Sequence, residues 1–143
     1  MGPGSAGRGN GPRTAVTVRV LLDATFVIDY LRAEPAAVQR WRELISSGDE
    51  PLLNEIVVCE VRTGVAPIAM DGFLRFIRPI EFIQPGPDAA LVAGEWRAQA
   101  RIRGRTLGLA DALIAAGAQA VGATVLTRNV RDFSLTPVAV ADY

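Results

Sequence analysis

From residue 18 onward the chain alternates between two hydrophobic periods. VRVLL (18 to 22) is an almost unbroken apolar run, the mark of a strand covered on both faces. FVIDYLR, and AAVQRWRELISS after Pro35, instead space their apolar residues three and four apart and predict two helices, the second ending at Gly48. PLLN (51 to 54) predicts a second strand, while IVVCEVRTG is β-branched yet ends at Gly64 as a helix does. MDGFLRFIR predicts a short helix and IEFIQ (80 to 84) a third strand. Pro87-Asp88 then opens a long amphipathic helix through Arg103, stopped by Gly104. LADALIAAGAQAV (109 to 121) predicts an alanine-rich helix whose packed stripe is Leu109, Leu113, Ala116, Gly117 and Ala120. ATVLT (123 to 127) and PVAVA (137 to 141) complete the pattern as fourth and fifth strands.

Strands separated by helices of this length predict parallel βαβ units, hence a three-layer α/β/α sandwich around a mostly parallel sheet of four or five strands. Ligands in such a sheet gather beyond the carboxyl ends of the strands, where the strand order reverses. Asp23 closes the first strand and so stands at that position. Residues 1 to 17 are rich in glycine, proline and arginine with little to bury and predict a flexible arm before a single domain over 18 to 143. The arm's G-P-G-S-A-G (2 to 7) matches a dinucleotide-binding pattern without the preceding strand and following helix that give the pattern its meaning.

Composition narrows the chemistry. Histidine is absent and all 15 basic residues are arginine. A Ser-His-Asp triad, a histidine base, a histidine-bound zinc, a Schiff-base lysine and a phosphate-loop lysine are thereby excluded. The single cysteine, Cys59, permits neither an internal disulfide nor a cysteine zinc cluster and reads as a small buried hydrophobe. Carboxylates, hydroxyls, amides and arginines remain, and clustered carboxylates work most readily through a hard divalent cation. Residues 20 to 143 hold 12 arginines against 15 acids, a net of −3, so the domain is mildly acidic and its overall charge makes no case for nucleic-acid binding. The uncharged run from Ala112 to Thr127 is too short and glycine-rich to span a bilayer, and a cytoplasmic protein without membrane contact is expected.

Four acids stand at strand ends or helix starts: Asp23, Glu60, Asp111 and Asp132. Asp111 opens an apolar helix, where an acid also complements the helix dipole with no further role. Glu60 sits among apolar neighbours and requires a cation or an arginine such as Arg62. TRNVRDF (127 to 133) offers Thr127, Asn129 and Asp132 as oxygen ligands, residues that equally suit a polar turn. Gathered in one place, these acids would repel one another unless Mg²⁺ or Mn²⁺ lay between them.

In order, LLDATFVIDYL, VVCEVRTG, GLADALIAAGA and VLTRNVRDF resemble the signature blocks of the PIN-domain family, in particular its VapC toxin branch, over residues 18 to 143. The resemblance implies a Mg²⁺- or Mn²⁺-dependent endoribonuclease, active as a homodimer and restrained by a VapB-type antitoxin. It implies Asp23, Glu60 and Asp111 as metal ligands, Thr25 and Thr127 as supporting hydroxyls, and either Asn129 or Asp132 as the residue completing the site. Asp29, more than a helical turn past Asp23, is expected in a salt bridge or supporting hydrogen bond. Arg97, Arg101, Arg103 and Arg105 cluster at the end of the long helix, while Arg128 and Arg131 flank the last block. Of these, Arg101, Arg103, Arg128 and Arg131 are the candidates for holding RNA phosphates. Trp41 and Trp96 fall in helical apolar patterns and predict core or dimer contacts. A non-catalytic PIN-like RNA-binding or scaffold protein would keep the same fold without the metal.

Overall fold

The computed structural model describes residues 17 to 143, so all but the last residue of the expected arm lies outside it. Five strands follow the apolar runs: β1 (Arg19–Leu22), β2 (Glu50–Leu53), β3 (Glu81–Phe82), β4 (Thr124–Leu126) and β5 (Val140–Ala141). They pair in the order β3-β2-β1-β4-β5, every neighbour parallel. Between them lie α1 (Ala24–Leu31), α2 (Pro35–Ser46), α3 (Glu55–Gly64), α4 (Met70–Ile77), α5 (Pro87–Ile102) and α6 (Leu109–Ala120), which complete a three-layer α/β/α sandwich. Short 3₁₀ turns occupy Pro67–Ala69 and Val130–Phe133.

The order of the strands decides where a site can form. From β1 the chain winds outward to β2 and β3, then returns to lay β4 on the other side of β1 and β5 beyond it. The reversal therefore falls between β1 and β4, whose register pairs Leu22 with Leu126. The next residues, Asp23 and Thr127, open onto the crevice expected at such a switch point.

Burial explains why the strands are where they are. Leu21, Leu22, Leu52, Leu53, Val125 and Leu126 are all but fully buried, and each leucine so placed contributes about 1.5 to 3 kcal/mol of hydrophobic stabilisation. The outer strands are shorter than their apolar runs. Each edge strand has one neighbour to pair with, so IEFIQ is reduced to Glu81–Phe82, and PVAVA to Val140–Ala141 after a proline that has no N–H to donate.

One open reading resolves, and the expectations for Cys59, Glu60 and the stripe of α6 change. IVVCEVRTG is helical: Asn54 caps α3 by accepting from the Val57 amide at 3.0 Å, and Val57 and Val61, four residues apart, form its buried stripe. Cys59 and Glu60 lie off that stripe and are exposed, so Cys59 is no buried hydrophobe and Glu60 no near-buried acid. Glu60 also forms no ion pair with Arg62 among the described residues. On α6 the buried set is Ala112, Ile114, Ala115, Ala116, Gly117 and Ala118, which takes in two faces, while Leu109 is 58% exposed. The helix packs against α5 as well as against the sheet, and its small side chains let both approach. Trp41 and Trp96 are half-buried against the core, Trp41 within an aromatic cluster with Phe26, Tyr30 and Phe76. No helix among the described residues is long and apolar enough to cross a membrane.

Candidate active site

Among the described residues the buried polar side chains are few: Asp23, Asp29, Asn54 and Thr127. Three of them directly follow strands, Asp23 after β1, Asn54 after β2 and Thr127 after β4. Asp23 and Asn54 hold the same local position, at the N-cap of the helix that follows, yet they act differently. Asn54 caps its helix with its side chain, whereas the Asp23 side chain makes no cap bond, a sacrifice of about 1 kcal/mol of helix stability. The backbone carbonyl of Asp23 serves the helix instead, accepting from the Phe26 and Val27 amides.

The carboxylate freed in this way is aimed by two hydroxyls. Thr127 Oγ1 donates to Asp23 Oδ2 at 2.8 Å and Thr25 Oγ1 donates to the same oxygen at 3.0 Å. Each hydroxyl accepts a backbone N–H from the turn after β4, Thr127 from Asn129 at 3.0 Å and Thr25 from Arg128 at 3.2 Å. Those amides leave the hydroxyl protons pointing at the acid. Asp23 Oδ1 accepts no hydrogen bond among the described residues, although Asp23 is only 5% exposed.

Around Asp23 lies a cleft of about 380 Å³, lined by Asp23, Ala24, Thr25, Ile28, Glu60, Asp111, Asn129 and Asp132. The four acids singled out above thus share one cleft, brought by the end of β1, α3, the first turn of α6 and the 3₁₀ turn after β4. Another cavity, about 320 Å³ between α3, α5 and α6, is lined mainly by apolar side chains, with Glu55 its one ionisable group. The ionisable side chains thus gather at the acid cleft.

Mutual repulsion shows in the titration of these acids. Burial pushes the Asp111 carboxyl up to about 6, helped by the charges of Asp132, Asp23 and Glu60. Glu60 is raised too, by partial burial first and by Asp23 second. A cation would relieve both. The donors are all oxygens, the set preferred by Mg²⁺ and Mn²⁺, and Asp23 Oδ1 offers an unengaged lone pair inside the cleft. Among the described residues, however, no three His, Cys, Asp or Glu side chains stand close enough to make a ready-formed cage. The residues fit a hard divalent ion in kind, all oxygen donors lining one cleft, without forming a closed cage.

Asp29 has a different fate. Arg128 Nη1 donates to both of its oxygens at 2.7 Å, and the Tyr143 hydroxyl donates to Oδ2 at 2.6 Å. Burial and the neighbouring Asp29 hold the Tyr143 phenol well above its usual range, so it stays a donor. Neither partnership is legible from the sequence, because 99 and 114 residues separate the pairs. Of the arginines expected to meet RNA, none lines the acid cleft. Arg128 is held on Asp29, Arg131 is exposed in the 3₁₀ turn, Arg103 is the C-cap of α5, and Arg101 lines a small separate pocket with Arg97 and Arg105.

The family model for the PIN domain matches residues 20 to 138, which take in the first four strands of the sheet except Arg19, and every acid of the cleft. The chain belongs to the PIN-domain family. It is 35% identical over 117 residues to Ribonuclease VapC19 of Mycobacterium tuberculosis, a match covering 82% of this chain and 94% of that protein. Its fold superposes with a TM-score of 0.77 on the VapBC2 structure from Rickettsia felis bound to a promoter DNA fragment, at 22% identity over 88% of this chain and 99% of that one. A toxin-antitoxin complex from Klebsiella pneumoniae matches at 25% identity with a TM-score of 0.67, covering 85% and 95% of the two chains.

Proposed function

We propose that this chain is a metal-dependent endoribonuclease, the toxin of a VapBC-type toxin-antitoxin pair. The observation that carries the reading is Asp23: a buried carboxylate aimed into a cleft with Glu60, Asp111 and Asp132, given hydroxyl donors but no counter-charge. The 35% identity to a ribonuclease along 94% of that protein's length supports RNA as the substrate. The likeness to a toxin-antitoxin complex supports a VapB-type antitoxin as partner.

Asp23, Glu60 and Asp111 would hold Mg²⁺ or Mn²⁺, completed by Asn129 or Asp132. When bound, the ion supplies a water nucleophile at neutral pH and neutralises charge on the phosphodiester. Thr25 and Thr127 fix the rotamer of Asp23, so its free Oδ1 is presented without reorganisation. Asp111, whose carboxyl burial and the neighbouring acids raise to about 6 without metal, would give up its proton to take the ion, so metal binding should strengthen as pH rises through that range. Leu91 and Ile102, on one side of α5 and 72% and 84% exposed, are the face we assign to a second copy in a homodimer.

The test is a cleavage map on total cellular RNA with wild type and Asp111→Asn, each with and without Mn²⁺. Discrete Mn²⁺-dependent cuts by the wild type alone are expected. Full activity in a clean Asp111→Asn preparation would remove the acid cleft from the mechanism, and no cleavage together with no thermal response to millimolar Mn²⁺ would leave a non-catalytic scaffold.

A further inference from the structure

The carboxyl end of α5 is closed by a turn that gathers positive charge. Gly104, at φ +71°, takes the left-handed conformation, its N–H donating to the Arg101 carbonyl while the Arg105 N–H donates to the Ala100 carbonyl at 2.8 Å. This paired closure folds the chain back over the last turn of the helix and fixes where Arg105 emerges. Arg97, one turn before Arg101, is pinned from the other side, its Nε donating to the Leu107 carbonyl at 3.0 Å. Arg97, Arg101 and Arg105, with Thr106 and Leu107, line a pocket of about 80 Å³.

Three guanidiniums at one pocket repel, and like charges four residues apart on a helix are destabilising. None of the three forms an ion pair among the described residues. The helix dipole accounts for an arginine in the last turn, which Arg101 supplies, but not for Arg97 a turn earlier or for Arg105 beyond the end. The pocket is small and ringed by guanidiniums, which suits a compact oxyanion. A carboxylate is satisfied by a single guanidinium fork, whereas the oxygens of a phosphate can take donors from several directions at once. The pocket is also near the acids: four residues separate Leu107 from Asp111, a span of at most about 14 Å.

We propose that Arg97, Arg101 and Arg105 form a phosphate-binding pocket that anchors the RNA backbone a few nucleotides from the acid cleft. The proposal rests on the ribonuclease reading and names the part of the surface that holds the substrate, since no arginine lines the cleft itself.

The experiment measures binding of a single-stranded RNA oligonucleotide by fluorescence anisotropy across about 50 to 200 mM salt, in the Asp111→Asn background so that the RNA is not cut. Arg101→Gln with Arg105→Gln should weaken binding on the order of tenfold at the low-salt end and flatten the slope of log K against log salt by about 1.4, two contacts at about 0.7 each. Arg78→Gln, an exposed arginine elsewhere, should leave the slope unchanged. Arg97→Lys keeps the charge but loses the Nε anchor, and should also weaken binding. An unchanged slope in the double variant overturns the pocket while leaving the ribonuclease intact. A second arm follows the Arg97 Nε–H signal by NMR during titration with inorganic phosphate and, separately, with acetate. A shift with phosphate alone, in a protein that binds no RNA, supports the pocket and overturns the RNA reading instead. An equal response to acetate makes it a carboxylate site, such as an acidic protein segment would fill, and overturns the proposal.

Discussion

Asp23 and Asp29 lie six residues apart in the same short block, and both are about 95% buried, yet they serve opposite ends. Asp29 is neutralised where it lies, by a guanidinium on both oxygens and a phenol on one. Asp23 receives two hydroxyls and nothing charged, and its neighbours across the cleft are further acids. Burying a carboxylate is costly in either case. The Asp29 arrangement offsets that cost within the chain, while the Asp23 arrangement supplies hydroxyls and no opposite charge among the described residues. Burial alone does not separate a structural acid from a functional one; the charge of its partners does.

The two acids should therefore respond oppositely to substitution. The largest effect belongs to Asp23→Asn, which keeps the shape and the threonine contacts but removes the charge. If the ion supplies several kcal/mol to the transition state, cleavage should fall about 10³-fold or more, with folding stability unchanged or raised. In urea titrations the larger loss should instead come from the other pair. Arg128→Ala strands the Asp29 charge in the core and should cost about 3 kcal/mol. Asp29→Asn should cost less, about 1.5 to 3 kcal/mol, because the 55% exposed Arg128 side chain can return to water.

Next in size is Thr127→Val, which removes a hydroxyl from Asp23 without touching the cleft's charge. Metal affinity should drop about 10- to 100-fold, read by Mn²⁺ titration, and a full wild-type affinity would show that Asp23 needs no aiming. The smallest effect is on stability without metal. Because the folded chain holds the Asp111 proton more tightly than the unfolded chain, with a carboxyl at about 6 rather than 3.8, stability should decline as pH rises from about 4 through about 6. Asp111→Asn should flatten that decline and raise the melting temperature at neutral pH by about 3 °C, the equivalent of roughly 1 kcal/mol.

Much of this was legible in the sequence, and the exceptions have physical causes. Apolar runs and glycine stops mark nearly every element, because a doubly covered parallel sheet leaves its strands no polar face. The parallel order follows from the alternation, and with it the gathering of Asp23, Asp111 and the block after β4. The phase of α3 was not readable: in IVVCEV β-branched residues occupy too many positions, and only packing selects Val57 and Val61 and turns Cys59 and Glu60 outward. The partner of Asp29 was hidden for a different reason. An acid on α1 can meet any of 15 arginines, and the choice of Arg128 depends on β4 lying beside β1. The same choice withdraws Arg128 from free display at the surface, and the compact arginine pocket beyond α5 depends on a backbone turn at Gly104 whose side-chain consequences no periodicity records.

On the metal-site proposal, Asp23, which has no counter-charge among the described residues, holds a divalent ion. Mn²⁺ titration of the wild type, Asp23→Asn and Asp29→Asn, followed by calorimetry and melting temperature, tests it directly. Saturable binding and thermal stabilisation are expected in the wild type, loss of both in Asp23→Asn, and a less stable Asp29→Asn that still binds. Equal Mn²⁺ affinity in the wild type and Asp23→Asn, or loss confined to Asp29→Asn, would contradict that proposal.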